Sequence, residues 1–538
     1  MSHLILSRIV IETLSPLALS SGGHDLGSSS DVARDWNGVP YIPATSLMGV
    51  WRNAAEASGN AKVWRKWFGF INRKSQGQAS RIILSDGLLV NKAGDVGRGL
   101  VLKSKLEKDE FTRTNSALIF SRERTRINHR GVADAGGHGK FDTKCLLKGT
   151  RFSFDIKAHV DDDGDGKVPA FSRKSLNEII SLIGQASFAV GGGKTNGLGR
   201  VKVVGFRQED IDLKKDKGEG CLQKIKAFRE KKEPYEVEAL NYPGICFDDS
   251  KSSDNYEELL NMTLNGTGVF TAGTGSAYLH QELQKLTGST GVSHPGTEDA
   301  VVWTGCQGQI VREQTDKDKK GRELVIPGSE IKGIIAHRVA YHYNRITGNL
   351  ADENDFFSKE YKMPEALGKL LFGMAGNEGS EETKNNTPEN NAKPAGGGAS
   401  TGLAGRLLFR DAAVAYKKTG VLRSHNRIDR ITGGVIDKAL FTEELVVDPV
   451  FDVNILVTKE AVKVLSGEKT LPGIDENTVK NVIQALKRTV FDLETGLLPI
   501  GAKTGRTLCE FTGKINACHP LLNYKIKQGD SKESEGRQ

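Results

Sequence analysis

The sequence predicts an α+β chain of two tandem ferredoxin-like (RRM-like) domains, on three observations. A set of landmarks recurs in the same order in both halves. Each half alternates strand-like and helix-like stretches in a βαββαβ order. Glycine, at 62 of 538 residues, is far above its usual share and shows no collagen period, so tight turns and loops carry much of the chain.

The landmarks establish the duplication. YIPATSLMGVWR at Tyr41 returns as VIPGSEIKGIIA at Val325, and RIILSDGLLV at Arg81 returns as RLLFRDAAV at Arg406. RINHRGVADAGGHGKF at Arg126 is answered by RIDRITGGVIDKALF at Arg427, and GGGKTNGLGR at Gly191 by GAKTGR at Gly501. Lys194 and Lys503 are then equivalent, as are Phe141 and Phe441.

Within the first half, MSHLILSRIVIETLSPLAL alternates as a strand does and lacks a cleavage pattern. A proline followed by small hydroxyl residues opens a helix in each half, with Thr45 or Ser46, and Ser329, as expected N-caps. Arg81–Val90 and Arg151–Val160 read as strands. SLNEIISLIGQAS and NTVKNVIQALKRTV read as the second helix of each half, and the glycine turn leads into a last strand, GRVKVVGF. The expected divisions are a first domain at 1–207, a charged linker at 208–255 and a second domain at 256–538, whose first strand is Leu259–Thr271. Residues 376–401 contain no aromatic residue, cannot build a core and are expected to form a disordered loop.

Lys and Arg number 75 against 67 Asp and Glu, a net charge of +8 that favours a polyanionic partner. Six scattered cysteines without a CxxC pair argue against a zinc site or disulfide framework. No apolar run reaches a membrane span. A chain without membrane contact, in the cytoplasm, is expected.

The glycine turn invites a nucleotide-binding reading but fails it. Phe188 stands where a P-loop needs glycine, and a strand follows where a P-loop opens a helix. A glycine turn with Lys194 and Arg200 can still bring backbone amides to phosphates, or be a plain turn with solvated cations. The helix N-termini at Ser46 and Ser329 favour a phosphate, with Arg52 or Arg338 a turn or more along. Arg122, Arg124 and Arg126 lie at period two and share a strand face, either a solvated hairpin or a backbone contact for nucleic acid.

Together, the IP-[AG]-[ST]-x-[LI]-x-G element, the central RI-[ND] segment and the C-terminal glycine turn resemble the RAMP superfamily. More narrowly, the chain resembles the backbone subunits of type III CRISPR–Cas effector complexes, as a fused pair of the type III-D-like kind. The resemblance implies thumb-type hairpin insertions, binding of guide RNA, pairing with target RNA and assembly with other effector subunits. It implies an RNA-binding set of Ser46, Arg52, Arg122, Arg124, Arg126, Gly192, Gly193, Lys194, Asn196, Arg200, Ser329, Lys332, Arg338, Arg427, Arg430, Lys503 and Arg506.

It also implies that a loop aspartate before the IPATS helix supports cleavage of target RNA with Mg2+ or another divalent cation. Arg34-Asp35 fits the family's Arg-Asp pair, which makes Asp31 the first choice for catalysis and for the metal, and Asp25 the second. In the second half Arg312-Glu313 takes the pair's place and Asp299 is the nearest candidate, so that half can be a binding unit alone. RNA supplies its own 2′-hydroxyl nucleophile, so one carboxylate that holds a cation suffices for such chemistry. Two other functions compete: a purely structural backbone, and an RNA-processing enzyme using His129 or His138 as base. Neither histidine has a counterpart in the second half.

Overall fold

The computed structural model describes residues 3–24, 30–58, 61–71, 77–90, 96, 99–100, 119–127, 139–161, 171–216, 218–231, 242, 244–247, 255–270, 301–303, 309–310, 322–323, 325–349, 363–374, 402–415, 418–426, 428–436, 441–501 and 509–522. The expected loop at 376–401 lies outside them.

The first half is built on β1 (His3–Thr13), α1 (Ala44–Ala57), β2 (Ile82–Leu84), β3 (Gly87–Leu89), β4 (Ile119–Thr125), β5 (Lys140–Leu146), β6 (Arg151–Val160), α2 (Arg173–Ser181) and β7 (Val201–Asp212). Its main sheet runs β7-β1-β6, with β2 and β3 both paired to β6. In βαββαβ terms this is the ferredoxin-like strand order, fourth-first-third-second, and these core pairings are all antiparallel.

The second half repeats it with β8 (Tyr256–Phe270), α4 (Gly328–Thr347), β9 (Leu407–Phe409), β10 (Ala412–Ala415), β11 (Lys418–His425), β12 (Phe441–Val447), β13 (Val450–Thr458), α5 (Glu476–Glu494) and β14 (Cys509–Cys518). Here β14 pairs with β8, β8 with β13, and β13 with β9 and β10, again antiparallel. In each half a hairpin, β4–β5 or β11–β12, leaves the sheet between the second and third core strands.

Strand β1 departs from simple alternation: Ile5 through Thr13 are all buried. Ile5, Ile9 and Ile11 face the main core under α1 and α2. Leu6 packs with Ile211 and Phe228 on the other side, where α3 (Glu219–Glu230) lies across the sheet. Arg8 is 1% exposed because Asp155, the Lys231 carbonyl and the Phe228 ring enclose it. The charged linker thus holds a docked helix, and β7 runs on to Asp212, beyond the expected division at 207.

Trp51 fixes α1 in place. Its indole meets Phe154 and Phe188 edge-on at 5.9 and 5.5 Å, and its Nε1 donates to the Ile179 carbonyl of α2 at 2.6 Å. Burying a side chain of this size contributes on the order of 2–3 kcal/mol. The helix that carries Thr45 and Ser46 is therefore a rigid wall.

Candidate nucleic-acid interface

The hydroxyl residues at the helix starts are not caps. Pro43 and Pro327 occupy the N-cap positions, without a side-chain cap bond, and Thr45, Ser46 and Ser329 lie inside the first turn. The first amides are satisfied from elsewhere. Asp86 Oδ1 accepts from Ala44 N at 2.7 Å, and Asp411 Oδ1 accepts from Gly328 N at 2.7 Å. These aspartates occupy the same place in RIILSDGLLV and RLLFRDAAV, so both halves use one device: a carboxylate from the β2–β3 or β9–β10 turn caps the facing helix.

With its end amide taken, α1 offers its flank. A cleft of about 320 Å³ lies between Pro43, Thr45, Ser46, Gly49, Val50 and Asn53 on one side and Ala18–Ser20 with Gly191 and Gly192 on the other. Gly192 N donates to Ala18 O at 2.9 Å, which seats the glycine turn against the end of the first strand segment. Gly191 has φ +81°, and a Cβ there would collide with the Ala18 carbonyl, so this wall requires glycine. The cleft joins two motifs far apart in sequence and lines them with hydroxyls, an amide and main chain. Such a lining suits a sugar–phosphate backbone and does not read a base.

The family model described as RAMPs, the RAMP superfamily, matches residues 10–202 and 301–506. This chain belongs to the RAMP superfamily. The two matched stretches cover both halves, one RAMP unit each, and the second begins after β8. No curated protein matches the chain.

The structure separates the expected RNA-binding residues of the two RAMP units. Ser46 and Gly192 line the cleft; Gly193 and Lys194 follow Gly192 along the chain, and burial holds the Lys194 pKa below the usual value. Asn196 faces the second unit: a Cβ on Gly328 would lie 2.9 Å from its carbonyl oxygen. Arg200 N donates to Ser15 Oγ at 3.0 Å. Arg52 pairs with Glu56 at 3.3 Å on the exposed side of α1.

Arg122 is 1% exposed, and its two terminal nitrogens reach Asp411 Oδ1 and Oδ2 at 3.3 and 2.9 Å, so its guanidinium joins the two units. Arg124 is half-buried and donates to Thr143 Oγ1 at 2.6 Å; burial, and then the Arg122 charge, lower its pKa. Only Arg126, at the end of the strand, has the exposure expected of all three.

In the second unit, Lys332 donates to Phe372 O at 3.2 Å, and burial lowers its pKa. Arg338 and His342 both hold Asp492 Oδ2 of α5, at 2.5 and 2.6 Å, which turns Arg338 toward helix packing. Glu330 stands where the first unit has Ser46, and the packing around its carboxyl pushes its pKa up to about 7. Arg430 is exposed in the turn organised by Asp429, which accepts from Ile431 N and Thr432 N at 2.8 Å. Arg427, Lys503 and Arg506 lie outside the described residues.

Of the aspartates, Asp25 and Asp299 lie outside the described residues, as do His129 and His138. Asp31 sits on the short strand Ser30–Val32, whose Ser30 pairs in parallel with Thr143 of the hairpin. Burial opposes its ionisation, but the Val32 amide at 2.8 Å, Lys144 at 3.4 Å and Arg34 at 3.8 Å outweigh it and hold its pKa below the usual carboxylate value. In the second unit Val302 pairs in parallel with Glu443, the equivalent of Thr143, so Trp303 takes the register of Asp31. That strand position carries no carboxylate.

Asp86 and Asp411, which cap the two helices, and Asn53, which lines the cleft, are positions that the sequence does not single out. A signal exists for the aspartates, since both fall at one place in a repeated motif. Its meaning depends on a helix amide that the repeat does not show.

Proposed function

We propose that this chain is a guide-RNA-binding backbone subunit of a type III CRISPR effector complex, a type III-D-like fusion of two RAMP units that works with target RNA and other subunits. The cleft between α1 and the Gly191–Gly192 turn carries the reading. It is polar, built largely of main chain and small side chains, and belongs to a chain of net charge +8. Such a surface grips a backbone of any sequence. The hairpins β4–β5 and β11–β12 support the thumb assignment. Beyond β11 the turn exposes Ile428, Ile431 and Val435, with Ile431 at 95%, an apolar tip of the kind that wedges between bases.

Purifying the chain with its bound nucleic acid and sequencing that RNA tests the reading. A uniform set of repeat-derived guides is expected. A random sample of host transcripts overturns it.

Target cleavage is the second reading. Its support is the ionised, partly exposed Asp31 beside the hairpin. The groups described around that carboxylate are Lys144 and Arg34, which do not fit a divalent cation. The structural backbone, holding guide and target while another subunit cuts, is therefore the preferred form of the proposal.

A further inference from the structure

Trp36 stands apart from Trp51, Trp64 and Trp67. Those three indoles are buried, whereas Trp36 is 60% exposed. One exposed apolar side chain is ordinary in itself. Trp36 is distinguished by the way it is mounted.

The turn that carries it is tied on both sides. Asp35 Oδ1 accepts from Asn37 N and Val39 N, both at 2.8 Å, and the Arg34 guanidinium donates to Gly38 O at 3.0 Å. Gly38, at φ +75°, closes the turn. Across from it, Trp36 Nε1 and Asn37 Nδ2 both donate to Gly99 O, at 3.1 and 2.8 Å. The indole is thus held by its edge, and among the described residues no ring or cation stacks on its faces. Leu100, the next residue after that carbonyl, is 75% exposed.

The turn also continues the wall of the cleft. Leu19 and Ser20 line the cleft, and Ala33 N donates to Leu19 O at 2.9 Å. Tyr41 N donates to Ala33 O at 3.2 Å and Asp35 N to Val39 O at 2.8 Å, which carries the ladder out to the turn. From Ala33 to Trp36 is at most about 10 Å of extended chain. Arg34 and Lys144 stand on the way, two cations against the one carboxylate of Asp31. At the matching place of the second unit, the sequence from Arg312 to Val325 contains no aromatic residue, so the feature belongs to the first unit.

A fixed indole suits a nucleobase. Every base has a π-face, stacking needs no particular hydrogen-bond pattern, and a ring already held still loses little freedom on binding. The cleft grips a backbone and leaves the bases unread, so those of an unpaired stretch are free to stack.

We propose that Trp36 is a stacking platform for an unpaired nucleobase of the RNA strand whose backbone the cleft holds. This rests on the reading of the chain as an RNA-binding subunit and adds a contact to base faces that the cleft itself does not make.

Titrating the full, RNA-free chain with short single-stranded oligouridine and oligoadenine, and with an abasic oligomer of the same length, tests it. Affinity is read from the anisotropy of a label on the oligomer, and contact with the ring from tryptophan fluorescence. The base-bearing oligomers are expected to quench the wild-type fluorescence. Trp36→Phe should remove most of that quenching and keep most of the affinity. Trp36→Ala should lower affinity for the base-bearing oligomers by about tenfold with an unchanged salt slope, and leave the abasic oligomer at its wild-type affinity. Wild-type affinity of Trp36→Ala for the base-bearing oligomers overturns the proposal while RNA binding stands, and leaves the ring to a protein partner. An equal loss for abasic and base-bearing oligomers also overturns it, since the residue would then hold the turn and not a base. A wild type that binds none of the oligomers overturns the RNA reading, and this proposal with it.

Discussion

Arg122 Nη2 lies 2.9 Å from Asp411 Oδ2, and this ion pair fastens the first unit's hairpin to the cap of the second unit's helix α4. The side chains are 1% and 11% exposed, so water offers each charge little alternative. Removing one leaves the other buried without its counter-charge, which is costlier than never having placed the pair.

Arg122→Ala is accordingly expected to destabilise the chain by about 3–5 kcal/mol in denaturant unfolding. Arg122→Ala with Asp411→Asn should recover part of that loss, since asparagine still accepts from Gly328 N and carries no stranded charge. RNA affinity, measured where the variant is folded, should keep the wild-type salt slope. A decrease of the slope by about one would return Arg122 to the residues that bind RNA.

Much of the fold is legible in the sequence, because the landmarks repeat and because the strand and helix periods are clear at Arg151–Val160 and at Glu476–Glu494. The site is legible in part. Ser46 and Gly192 fall in the cleft as their motifs suggest, since a glycine turn and a proline-started helix have local signals. At Arg122 the burial is not legible, because period two tells which side chains share a strand face, while burial of that face depends on a second unit folding against it. The capping by Asp86 is hidden for a similar reason: its partner amide lies at Ala44, across the sheet edge.

Glu330 gives a pH test. Its folded pKa is raised from the ordinary 4.5 to about 7, so the folded chain binds the proton more tightly than the unfolded chain. Stability from this group is therefore full below about 4.5 and is lost as pH rises toward 7. Glu330→Gln should be more stable than the wild type above pH 7 and should flatten thermal stability across that window. Equal pH profiles for the two proteins would show that the carboxyl is solvated as usual.

Asp31 divides the two functional readings. With the complete effector complex and a labelled target, Asp31→Ala is expected to leave every cleavage product in place, because its carboxylate is held by Lys144 and Arg34. Loss of one product, with guide and target still bound and cleavage blocked by EDTA, would assign metal-dependent cleavage to this unit.

Lys194→Ala should weaken binding of unrelated guides by the same factor, since an ammonium beside main-chain glycines meets phosphate alone. A guide-dependent loss, seen by filter binding with several sequences, would mean that the turn reads bases.

The most direct test of the account is the affinity of Ser46→Glu for guide RNA, titrated at several salt concentrations. Glutamate already stands at the equivalent place in the second unit, as Glu330, so the helix start tolerates it. In the first unit it would bring a carboxylate into the cleft lined by Ser46, Asn53 and Gly192. If the guide backbone runs there, affinity falls by about tenfold or more for every guide, and the salt slope decreases by about one for every phosphate pushed out of the cleft. Wild-type affinity and wild-type slope in a folded Ser46→Glu chain would place the RNA elsewhere and contradict the central claim.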